Sequence, residues 1–196
     1  MYAQTGPHPE GVSALALAGN CITIVGLMAA LWFNYRVFYA SERGGLLVTV
    51  AASLMMWAAL VYFVAAGGLE HPAQYGEAYW PLAFSMVLAD AWVAGEALRF
   101  RTQLLRRLAL GLADPVVVDR LGLWSAGAIA RIGLVLMAPL TNALVPSAEL
   151  RMEIAPGLLL LSALLILGTC VAYWLMLAPT DGYRRWVARR YATAAS

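Results

Sequence analysis

Two ionisable side chains stand in stretches that are otherwise apolar. Asp90 lies mid-way along the run from Tyr79 to Leu98, and Arg131 lies mid-way along the run from Leu121 to Val145. Inside a membrane an ionisable group costs about 2.5–3.5 kcal/mol on the insertion scale, so it marks a partner or a function. The chemistry open to such groups is charge compensation, ion or proton relay, or the seating of a charged ligand. Asp90 is eight residues before Leu98, and Arg131 is ten after Leu121. At a rise of 1.5 Å per residue, both lie roughly 12–15 Å from the same boundary. Neighbouring antiparallel helices bring them level, and an Asp90–Arg131 ion pair is predicted. The pair either fixes the register of two helices, since buried pairs often cost as much as they gain, or takes part in ion or ligand movement.

The remaining polar candidates are weaker. Glu96 falls within a turn of the end of its run, where Arg99 or Arg36 can satisfy it or where it can reach water. Ser85, Ala89, Trp92 and Glu96 share one helical face and Asp90 points elsewhere. Asn20 and the pair Thr141-Asn142 are uncharged and suit hydrogen bonds between helices, at about 0.6 kcal/mol each. Ala126, Gly127, Ala130 and Gly133 permit close helix approach, and Pro139 suggests a kink. Cys21 and Cys170 read as buried packing thiols, with no CxxC.

Several chemistries are excluded by what the chain lacks. All 13 basic residues are arginine. Without lysine there is no retinal or pyridoxal Schiff base and no P-loop amine. The two histidines, His8 and His71, fall outside the apolar runs, which excludes a bis-histidine haem within the bundle. Soft ligands are too few for zinc. A pigment or haem held by His71 at the outer surface is the one cofactor reading left, and none is expected. No nucleophile–base pair stands at matched spacing. No catalytic residue is therefore assigned, and the chain is expected not to be an enzyme. A lipid-acting enzyme with Asp90 or Glu96 as general base has the least support.

These residues need elements to hold them. The chain has 196 residues, of which 62% are hydrophobic and 12% charged, with mean hydropathy +0.73. Soluble domains run at roughly 45–50% apolar and roughly 25% charged, and so few charges cannot cover a soluble surface of this size. Five runs reach the roughly 20 apolar residues that a membrane helix requires: about 12–33, 46–66, 79–98, 121–145 and 154–177. The expected fold is all-α, a polytopic bundle forming a single transmembrane domain over 1–196, with an amphipathic tail at 178–196. The leading MYAQTGPHPE has no basic residue, so the first run is expected to be a retained span rather than a cleaved signal.

Arginine placement supplies orientation. Arg36 and Arg43 follow the first run. Arg99, Arg101, Arg106, Arg107 and Arg120 lie between the third and fourth, and Arg184, Arg185, Arg189 and Arg190 follow the fifth. The opposite side carries only Arg151, with Glu10, Glu70, Glu77, Glu149 and Glu153. The positive-inside rule then puts the N-terminus outside and the C-terminus in the cytoplasm, which an odd span number requires. Arg99–Leu112 continues helically, with Phe100, Leu104, Leu105, Leu108 and Leu112 opposite its arginines. The tail repeats the device, with Tyr183, Trp186, Val187 and Tyr191 on one side. Both read as interfacial helices facing anionic lipid or a docking partner. Nucleic acid is not expected, because arginine and aromatics at a membrane boundary already have an explanation. Asp114-Pro115 reads as an N-cap followed by a first-turn proline, and Thr180 or Asp181 can cap the tail helix.

The stretch RRLALGLADPVVVDRLGLW, Arg106 to Trp124, resembles a connector in the membrane input regions of bacterial multi-span sensor kinases and related membrane proteins. The resemblance covers about a tenth of the chain and implies a bacterial cytoplasmic membrane. With neither dimerisation helix nor ATP-binding domain before Ser196, it implies signalling through another polypeptide. The expected function is a non-enzymatic accessory or sensory subunit that packs against membrane or cytoplasmic partners. The alternative is a small oligomeric transporter or channel that uses Asp90, Glu96 and Arg131.

Overall fold

The structure, a computed structural model, describes residues 10–69, 77–145 and 147–193. Six α-helices follow one another: α1 Glu10–Phe38, α2 Arg43–Ala65, α3 Trp80–Leu108, α4 Pro115–Leu144, α5 Ala148–Leu177 and α6 Asp181–Thr193, with one 3-10 turn at Glu77–Tyr79 before α3. No strand occurs among the described residues. Helices α1 to α5 are each long and apolar enough to cross a membrane, as expected for a membrane protein.

The helices outrun the apolar stretches that announce them. α4 begins at Pro115, the first-turn proline of the Asp114-Pro115 cap and ahead of the apolar edge at Leu121, and α5 begins at Ala148 rather than Ile154. The reason is that backbone hydrogen bonding continues past the apolar edge until a cap stops it. At the end of α3 the stop is Gly111, with φ at +70°. The N–H of Leu112 bonds the Arg107 carbonyl at 2.9 Å and that of Gly111 bonds the Leu108 carbonyl at 2.9 Å, the paired bonds of a Schellman ending. The helical continuation expected over Arg99–Leu112 is therefore the last part of α3 and ends at Leu108. Leu112 lies beyond the left-handed residue and is exposed, so it does not join the stripe. Asp114 then caps α4, its Oδ1 accepting the Val116 N–H at 2.8 Å. Thr180 caps α6, its hydroxyl accepting the Tyr183 N–H at 3.3 Å. α4 runs through Pro139 and α5 through Pro156.

The chain forms two compact units. The first comprises Met1–Ala89 and Val135–Pro156. Its buried side chains include Ile24, Leu27, Leu31, Met56, Leu60 and Phe63. The short link from α1 to α2 closes tightly: a Cβ on Gly45 would lie 2.4 Å from Tyr39 Cβ, so only glycine fits. Phe63 meets the Tyr79 ring edge-on at 5.5 Å. The second unit comprises Asp90–Leu134 and Gly157–Ser196. It buries Val93, Ala97, Val118, Trp124, Ala128 and Val187, and it holds both clusters described next.

Candidate functional site

The first cluster is built from one residue on each of three helices of the second unit. Arg131 on α4 donates from a terminal guanidinium nitrogen to the carboxylate of Asp90 on α3. Asp90 is completely buried, and the Arg131 side chain is 19% exposed. Tyr173 on α5 places its ring under the cation, 5.3 Å from Arg131 Cζ, within cation–π range. Gly127, one turn before Arg131, makes room for that ring. A Cβ there would lie 3.1 Å from Tyr173 Cζ. Close approach thus occurs at Gly127, whereas Ala126 and Gly133 of the same small-residue stretch are exposed.

The pair is closed but its surroundings are not saturated. Asp90 Oδ2, Arg131 Nε and the Tyr173 hydroxyl are buried and have no hydrogen-bond partner among the described residues. Each orphaned polar group costs about 1–3 kcal/mol. One free acceptor, one free cationic donor and one hydroxyl can hold a water, a proton in transit or a small polar ligand.

The second cluster lies where α4 begins and α6 lies. The Tyr183 hydroxyl donates to Asp119 Oδ2 at 2.6 Å, and Arg190 Nη1 stands 3.5 Å from Asp119 Oδ1. Arg190 also covers the Trp186 ring, with Cζ 5.3 Å from its centroid. Burial, and then the Asp119 hydrogen bond and charge, holds the Tyr183 phenol above the ordinary tyrosine range. A raised folded-state value means that this contribution is present below the unfolded tyrosine value of about 10 and is lost as pH rises past it. Tyr183→Phe is expected to destabilise the second unit by about 1–3 kcal/mol, the worth of a hydrogen bond to a charged acceptor. It also removes part of the alkaline destabilisation above about pH 10. Thermal melts of both proteins from neutral to alkaline pH check this, and equal melting at every pH denies the bond any role.

Asp119 escapes sequence reasoning because Asp119-Arg120 near a helix start reads as a solvated, self-compensating pair. The available signal is the burial period Val118, Leu121, Ser125, which carries position 119 inward beside it. Asn34 was also missed, since it follows the apolar run at Phe33. It is fully buried, and neither amide atom has a partner among the described residues.

The other expected residues are dispersed. Glu96 pairs with Arg99 on the next turn at 3.4 Å, while Arg36 lies over the Trp32 ring at 5.9 Å. Asn20 bonds its own helix, at the Ala16 carbonyl, rather than a neighbour. Asn142 does link helices, accepting from Arg151 Nη1 at 3.0 Å. Arg106, Arg107, Arg184, Arg185 and Arg189 are exposed, Arg101 is half-buried and Trp186 is half-exposed. Cys21 is half-buried and Cys170 is exposed on α5; both are free thiols. His8 and His71 lie outside the described residues, among which no group of potential metal ligands forms. No family model, curated protein or solved structure matches this chain.

Proposed function

We propose that this chain is a non-enzymatic accessory or sensory subunit of a larger membrane assembly, set in a bacterial cytoplasmic membrane with its N-terminus outside and its C-terminus in the cytoplasm. The observation that carries the reading is the bare surface of α5. Only 6% of its most apolar 18-residue stretch is buried, against 50% for α3. Leu159, Leu160, Leu164, Leu167 and Trp174 are all more than half exposed, and consecutive exposed positions cover most of the helix circumference. Lipid can coat such a helix, but it gives the helix no defined neighbour. Helix association in membranes comes from close packing at small residues. Gly157 and Gly168 on α5 have open space where a Cβ would be, which suits a helix from another chain.

Orientation rests on the eleven arginines of one side against Arg151 on the other. The exposed arginines of α3 and α6 suit a cytoplasmic partner or anionic lipid. The resemblance of Arg106–Trp124 to sensor-kinase input regions lends the signalling sense, exerted through another polypeptide.

Cys170 offers a direct test. It is a native exposed thiol on α5. A photoactivatable maleimide attached there in native membranes, on a Cys21→Ser background, is expected to give one discrete adduct of higher mass. The same partner is expected to co-purify in mild detergent. A lone monomer with no adduct overturns the reading.

A second reading, the small oligomeric transporter or channel using Asp90, Glu96 and Arg131, is favoured by one observation. The free buried polar atoms around the ion pair are what a relay site would leave open between turnovers.

A further inference from the structure

An open groove of about 680 Å³ is lined by residues of α3, α4, α5 and α6 within the second unit. We propose that it seats the headgroup of one anionic phospholipid, with the phosphate between Arg101 and Arg190 and the first acyl carbons on Leu123 and Leu175. Arg101 stands three residues past Leu98, where the apolar run of α3 gives way to charge. Its Nε is buried and has no acceptor among the described residues. A guanidinium cannot shed its charge and carries five donors in a rigid fork that matches phosphate oxygens, so this groove-lining cation, with Nε unmet, calls for an anion. Gly122 shapes the wall beside it. A Cβ there would lie 3.0 Å from Arg101 Nε and 3.5 Å from Cδ.

Arg190 supplies the second cation from the opposite helix, steered by Asp119 and stacked on Trp186. The Asp119 carboxylate does not repel an incoming phosphate strongly, because Tyr183 and Arg190 already engage its two oxygens. Two cations and one compensated carboxylate leave the lining net positive, which disfavours a choline headgroup. Leu123 and Leu175 supply an apolar wall, which free phosphate has no use for. A half-exposed indole beside the arginine suits the headgroup layer.

The test is native mass spectrometry of the delipidated full chain, titrated with phosphatidylglycerol or with phosphatidylcholine of the same acyl length. The first phosphatidylglycerol is expected to bind about tenfold more tightly, the worth of one charge-assisted bond. Arg101→Gln and Arg190→Gln are each expected to erase that preference. Gly122→Ala is expected to weaken it, and Arg43→Gln, at the exposed start of α2, to leave it intact. If Arg101→Gln fails to fold, Arg190→Gln on the surface helix decides alone. Equal affinity for the two lipids overturns the proposal, as does an equal loss from Arg43→Gln. Full displacement by millimolar inorganic phosphate also overturns it, in favour of a plain ion site. The inference rests on the membrane-spanning reading but not on the accessory role. A lost Cys170 adduct with the lipid preference intact removes that role alone, and a lost preference with the adduct intact removes the groove alone.

Discussion

Arg131→Met is expected to destabilise the protein by about 3–5 kcal/mol, because it strips the donor from a carboxylate held in a fully buried site. The methionine keeps most of the stem packing, so the loss reports the uncompensated charge. Asp90→Leu combined with Arg131→Met removes both charges together and is expected to return stability to near the wild-type level, since buried pairs replaced by apolar residues are often neutral or better. Denaturant titration in mixed micelles measures all three proteins. A single variant that costs under about 1 kcal/mol would mean that the pair is solvated rather than buried. Asp90→Asn, which keeps the shape and removes the charge, separates the two functional readings. A wild-type ion or proton flux in proteoliposomes that Asp90→Asn abolishes establishes the transporter. Absence of flux in the wild type, with a partner trapped at Cys170, establishes the subunit.

Val187→Asp is expected to release α6. Val187 is completely buried and, one turn after the buried Tyr183, forms the inner edge of that helix. An unpaired carboxylate at that position costs about 3–5 kcal/mol. Against it stand anchors of one 13-residue helix that include Tyr183 on Asp119, Arg190 on the same carboxylate, and the Thr180 cap. Isolated helices of that length are marginal in water, so an undocked α6 unravels. Its four arginines, Arg184, Arg185, Arg189 and Arg190, then become trypsin sites, whereas a docked helix resists cleavage. Limited trypsinolysis in micelles is expected to clip the variant within the tail while wild type persists. Equal cleavage rates would show that α6 is not held by its buried edge. The same variant is expected to lose the lipid preference, because Arg190 leaves the groove with the helix.

Much of the fold was legible because the features that carry it are one-dimensional. A membrane helix is announced by length and apolarity, and Gly111 and Asp114-Pro115 spell out the turn between α3 and α4. Helix ends were legible only where a cap was recognisable: Asp114-Pro115 marks where α4 begins, whereas the apolar edge at Ile154 lies inside α5, which begins at Ala148. Asp90 and Arg131 stood out for the same reason, as lone charges in apolar runs. Asp119 did not stand out, since Arg120 beside it offers a ready counter-charge and its hydrogen-bond partner Tyr183 lies on α6, 64 positions away. Asn20 looked like a bridge between helices, yet its amide turned to Ala16 on its own helix, a choice that residue type leaves open.

The sequence by itself determined the class of the protein, five helices long and apolar enough to cross a membrane, and how far along their helices Asp90 and Arg131 lie. That distance is set by residue count along a rigid axis, at 1.5 Å per step, so it needs no knowledge of neighbours. Only the tertiary structure decided which faces meet: that Tyr173 slides under Arg131 because Gly127 has no side chain, and that Asp119 gathers Tyr183 and Arg190. It also decided that Arg101 keeps a buried Nε with no hydrogen-bond partner among the described residues. Those outcomes depend on helix rotation and on packing between distant segments, where several faces of one helix compete for the same partner and the difference lies in a few ångströms of side-chain volume.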